Sequence, residues 1–188
     1  VQAILIFGMP QSLLYYFPRK ETREHPLLIK QTWTILLFSS LMVMAIFWLS
    51  SQIIGTHHLK EYLVLLGIYT SLMIFVMPIQ NLLTLEGKIS TAMWLMVFFT
   101  IIDLAVLPSA AWLNPTTLGI VHGIIVAALL KAIMVLFHVY TTYFTKEISG
   151  NSYIKEQLAY GIPVGLTAMV YVINCLLYTS DAADDIPR

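Results

Sequence analysis

Two apolar runs, residues 90–112 and 117–144, each carry one full charge far from either end: Asp103 in the first and Lys131 in the second. Each run is long enough to cross a bilayer as a helix, which needs about 20 residues at about 1.5 Å rise. A charge at the centre of such a helix costs about 2.5–3.5 kcal/mol or more, so it is sheltered by protein or by a water-filled cavity. The turn between the runs, Asn114-Pro115-Thr116, is too short for anything but a hairpin. The remaining segments must therefore pack around this pair. Composition agrees: 188 residues are 59% hydrophobic and only 11% charged, with mean hydropathy +0.81. A soluble domain carries about a quarter charged residues, so the expected fold is all-α, a polytopic transmembrane helix bundle.

About six spans are expected: 1–17, 32–54, 62–85, 90–112, 117–144 and the start of a sixth at 158–174. Pro78 should kink or loosen the third. Loops 18–30, 86–88 and 145–157 alternate with 55–61 and 113–116. The first set holds seven basic residues (Arg19, Lys20, Arg23, Lys30, Lys88, Lys146, Lys155) and the second holds only Lys60. The positive-inside rule then puts loops 18–30, 86–88 and 145–157 in the cytoplasm, with the protein multi-pass in the cell inner (cytoplasmic) membrane.

Depths along the hairpin can be compared from its outer edge. Asp103 lies about 14 Å below Trp112 and Lys131 about 21 Å from Thr117 at helical rise. A lysine side chain can span the difference, so an ion pair is feasible. Gly119, Gly123 and Ala127 form a ladder of small residues that lets helices approach closely, and Lys131 continues its spacing. His138 shares the Lys131 face, whereas His122 lies opposite. One reading has Asp103 and Lys131 lining a central cavity. Lys131 would attract an anionic headgroup, and Asp103 would neutralise it until cargo arrives or carry a coupling proton or sodium ion. The other reading is a structural pair that fixes helix register, whose desolvation cost can cancel its Coulomb gain. Both stay open.

Other residues are weaker candidates. Arg19, Lys20 and Arg23 can grip lipid or cargo phosphates, or can be ordinary positive-inside charges. Gly161 and Pro163 can mark a bending point in the sixth span or a simple helix start. Phe7-Gly8-Met9-Pro10 echoes Tyr160-Gly161-Ile162-Pro163, an echo taken as chance because the two helices run in opposite directions. His57-His58 has no carboxylate or cysteine cluster beside it, so no metal is expected, and no cofactor either. Zero formal net charge leaves no nucleic-acid footprint. No phosphate loop, His-Glu-x-x-His or nucleophile elbow occurs, so an enzyme is not expected.

The stretch Phe7-Gly8-Met9-Pro10-Gln11-Ser12-Leu13-Leu14-Tyr15-Tyr16-Phe17-Pro18-Arg19 resembles the second helix of polysaccharide flippases of the multidrug/oligosaccharidyl-lipid/polysaccharide exporter superfamily. Lys155-Glu156-Gln157-Leu158-Ala159-Tyr160-Gly161-Ile162-Pro163-Val164-Gly165-Leu166 is similar to the lead-in and start of that family's seventh helix. The resemblance implies a fragment of a two-lobe transporter: residues 1–157 as a partial first lobe with five spans and no first helix, and 158–174 as the start of the second. It implies alternating access around a central cationic cavity. The implied cargo is a polyprenyl-pyrophosphate-linked oligosaccharide for O-antigen (lipopolysaccharide), capsule or exopolysaccharide, with polysaccharide polymerase machinery as a partner beside membrane lipids. A drug/cation antiporter of the same superfamily would favour acidic cavity residues. A polytopic glycan ligase or polymerase would need a larger outer loop. Residues 175–185 resemble the translation of a sequencing-library adapter, so 175–188 is expected to be a non-native tail.

Overall fold

The structure is a computed structural model and describes residues 8–22, 24–53, 57–144 and 152–184. Among the described residues all regular structure is helical. Helix α1 (Met9–Tyr16) runs into a 3-10 turn (Phe17–Arg19), followed by α2 (His25–Ile53), α3 (His57–Val76) and α4 (Pro78–Leu85). Then come α5 (Ile89–Leu113), α6 (Thr117–Val139), a π turn (Tyr140–Phe144) and α7 (Ile154–Asp184). Four segments are long and apolar enough to cross a membrane: His25–Ile53, Leu59–Leu85, Ile89–Leu113 and Thr117–Phe144. Of the first expected span, residues 1–7 lie outside the described residues and the rest is α1. The sixth lies within α7.

Local chemistry explains where the helices begin and break. Helix α2 starts seven residues before the expected 32, because Pro26 is tolerated in a first turn and Leu27, Leu28 and Ile29 are buried. Pro78 has no N–H and its ring crowds the carbonyl four residues back. The third span accordingly breaks at Met77, whose own N–H still reaches the Met73 carbonyl at 3.2 Å. At the hairpin, the Thr116 hydroxyl accepts the Gly119 N–H at 3.1 Å and caps α6.

Helices α2, α3 and α6 form the centre, with α5 on the outer side of α6, and α1 and α7 crossing one another against α2. The main core joins Leu28, Trp33, Phe75, Leu82, Val135 and Tyr143. The small-residue ladder lets the helices approach at Gly123, where a Cβ would lie 2.5 Å from that of Ala110 on α5. Gly119 instead faces its own turn at Asn114. Large apolar side chains such as Phe38, Leu41, Trp94, Phe98, Leu104 and Phe137 point outward. An apolar exterior on this scale does not suit water, and with the four long helices it marks a membrane protein.

Side-chain bonds join loop residues at one end of the bundle. The Tyr153 hydroxyl donates to Glu24 at 2.5 Å, the Tyr143 hydroxyl donates to Glu86 at 2.5 Å, and Lys20 pairs with Glu156 at 3.7 Å. These contacts connect loop 18–30 with loop 145–157, and loop 86–88 with the end of the fifth expected span. Lys60 donates to Gln52 at 3.0 Å on the other side of the bundle.

Candidate functional site

Asp103 sits near the middle of α5, ten residues before its end at Leu113. Lys131 sits on α6, fourteen residues after its start at Thr117. The hairpin holds them opposite each other, and the Lys131 ammonium donates to both Asp103 carboxylate oxygens at 2.6 Å. The same ammonium lies 5.8 Å from the Phe99 ring centroid. The pair is unequal: the lysine side chain is 10% exposed and the carboxylate 43%. A nearly enclosed cation thus presents its counterion, rather than itself, to the open side.

Two cavities meet at this pair. One, about 370 Å³, lies between α3, α4, α5 and α6 and is bounded by Met73, Gln80, Phe99, Thr100, Asp103 and Lys131 among others. The second, about 330 Å³, adds Tyr69, Leu107, Ile124 and Ala128 around the same three residues, Met73, Asp103 and Lys131. The ion pair is therefore a shared wall. A group carrying charge or hydrogen-bonding capacity could approach it from either side. The break at Met77 and Pro78 brings Gln80 to the first cavity as a polar wall residue. The irregular backbone after a proline was the available signal. Tyr69 and Thr100 gave no such signal, because their spacing becomes meaningful only once α3 and α5 are docked.

The other expected residues fall elsewhere. His138 is half-buried one heptad beyond Lys131 on α6 and is not part of either cavity wall. Its Nε2 has no hydrogen-bond partner among the described residues. Arg19 is turned back on its own helix: it donates to the Tyr15 carbonyl at 2.7 Å and lies 3.7 Å over the Tyr15 ring. Arg23 lies outside the described residues, as do the side chains of His57 and His58. Gly161 and Pro163 both lie inside α7. Gly161 is buried and packs on Gly8, so close that any side chain at Gly8 would strike the Gly161 backbone carbonyl. The two echoing Gly-x-Pro motifs thus meet where α1 crosses α7, and Tyr15 stacks on Tyr160 at 4.4 Å beside them. Among the described residues, no three His, Cys, Asp or Glu side chains gather as a metal site.

A polar network at the basic-loop end escaped sequence reasoning. Buried Gln31 accepts the Tyr153 N–H at 2.9 Å, and buried Gln157 donates to the Leu28 carbonyl at 3.4 Å. The hydrogen bond to Glu24 pushes the Tyr153 phenol up to about 12, with desolvation and the neighbouring carboxylates acting in the same direction. Comparison with family models, curated proteins and solved structures finds no match to this chain.

Proposed function

We propose that this chain is part of a membrane transporter that works by alternating access and moves a polyprenyl-pyrophosphate-linked oligosaccharide for cell-surface polysaccharide export. The observation that carries the reading is the Asp103–Lys131 pair, placed at mid-helix and open to two cavities. A pair that only fixed helix register would need no such access. Pyrophosphate arriving from either cavity competes with Asp103 for the Lys131 ammonium, and the displaced carboxylate can take up a proton. In this proposal six spans belong to one lobe and the opening of a second, and the basic-loop end faces the cytoplasm from the inner membrane. A polysaccharide polymerase would receive the exported glycan.

One observation favours a second reading. The carboxylate is the more open partner of the pair, which suits a drug or cation antiporter of the same superfamily. Both readings can be tested in the full-length protein that carries this segment, with Asp103→Asn, Lys131→Met and the double variant. Each single change leaves an unpaired charge and should lower stability by about 1–3 kcal/mol, the buried-pair penalty discounted for the exposed carboxylate. The double variant should regain thermal stability yet fail to export glycan. Export by the double variant would return the pair to a purely structural role. Loss of cationic-dye efflux with intact glycan export would favour the antiporter.

A further inference from the structure

A second groove lies on the opposite face of α6 from Lys131. Positions 133, 136, 137 and 140 fall between about 140° and 240° around the helix from Lys131 at 100° per residue, and with Phe144 of the π turn they form one wall. The groove encloses about 550 Å³. Its floor is buried Trp33, Phe75 and Val139, and its rim is exposed Leu37, Leu136 and Phe137. Its rim lies on the outer surface of the bundle. The π turn at Tyr140–Phe144 closes one end, with Tyr140 and Phe144 stacked at 6.0 Å. At that end stands Lys30, with its ammonium 5.2 Å from the Phe144 ring centroid. Among the described residues this ammonium has no carboxylate partner.

We propose that this groove binds an anionic glycerophospholipid of the inner leaflet, with one acyl chain in the trough and the phosphate on Lys30. Three observations select that occupant. An apolar groove with a single cation beside its wall at Phe144 complements a hydrocarbon chain bearing one negative headgroup. Lys30 belongs to the basic-loop end, which the proposed orientation sets against the cytoplasmic leaflet, the source of anionic lipid. The body of α6 separates the trough from the cavities at Asp103–Lys131, so one cargo molecule cannot have its tail here and its headgroup there. The indole N–H of Trp33, three residues deeper than Lys30, has no acceptor among the described residues. A lipid ester carbonyl at that depth supplies one when the covering side chains part.

Native mass spectrometry of the full-length protein in detergent tests this with three probes: phosphatidylglycerol, phosphatidylcholine and a polyprenyl phosphate. Phosphatidylglycerol should be retained at collision energies that strip phosphatidylcholine. Lys30→Gln should reduce that preference about fivefold, the worth of one lysine beside an anionic surface, and Lys30→Arg should restore it. Leu136→Trp, which fills the trough without touching Lys30, should lower retention of both phospholipids. An unchanged preference in Lys30→Gln overturns the proposal, and so does polyprenyl phosphate held above phosphatidylglycerol. Neither result bears on glycan export, so this site and the transport reading stand or fall separately.

Discussion

At the scale of single residues, charge in an apolar setting was the most readable signal. Asp103 and Lys131 were visible because nothing around them in sequence could solvate them, and their 2.6 Å contacts follow from the hairpin. Gln31, Gln157 and Tyr153 were not visible, since polar residues near a helix end are ordinary until a distant helix covers them. Tyr153 offers a direct check. Its phenol is held neutral by Glu24, so its folded pKa of about 12 exceeds the usual 10. Raising the pKa of an acid stabilises the protonated form. That stability is fully present below pH 10 and is lost as pH rises through 12. The melting temperature should therefore fall more steeply between pH 10 and 12 than in Tyr153→Phe. Parallel curves would remove the Glu24 bond from the account.

At the scale of elements, proline and small residues told most. The Asn114-Pro115-Thr116 turn and the break ahead of Pro78 stand where sequence chemistry puts them. The start of α2 was hidden by its charged approach, because Pro26 reads as a loop residue until the buried Leu28 and Ile29 show it to be a helical first turn. The small-residue ladder was legible as a pattern but not in its partners: Gly123 meets the neighbouring helix α5 at Ala110, whereas Gly119 meets Asn114 in its own turn. Gly123→Ala places two methyl carbons 2.5 Å apart and should destabilise the hairpin by about 1–3 kcal/mol through overpacking. Adding Ala110→Gly should recover much of that loss. Thermal unfolding in detergent reads both. A double variant no better than the single would mean that the strain lies elsewhere.

At the scale of the whole molecule, hydropathy announced a helical membrane protein and the four long apolar helices agree. The contacts between loops 18–30 and 145–157 agree with charge alone, since loops on the same side of successive spans must lie together. The crossing of α1 with α7 was not legible, because a four-residue echo such as Phe7-Gly8-Met9-Pro10 has no meaning without the fold. The proposed orientation predicts labelling by sidedness. In a cysteine-free background, Asn114→Cys should react with an impermeant maleimide in intact cells, whereas Lys88→Cys should react only after lysis. The reverse pattern would invert the protein in its membrane.

Helix α6 separates the cavities beside a buried ion pair from an apolar groove. A helix moves as a rod, so turning it to widen the trough beside Phe137 also carries Lys131 relative to its acid. The proposed lipid and the Asp103–Lys131 pair on the far side would then be two handles on one lever. An Asp103→Asn protein that retained a different amount of phosphatidylglycerol from the parent would show that lever moving, and equal retention would show it fixed.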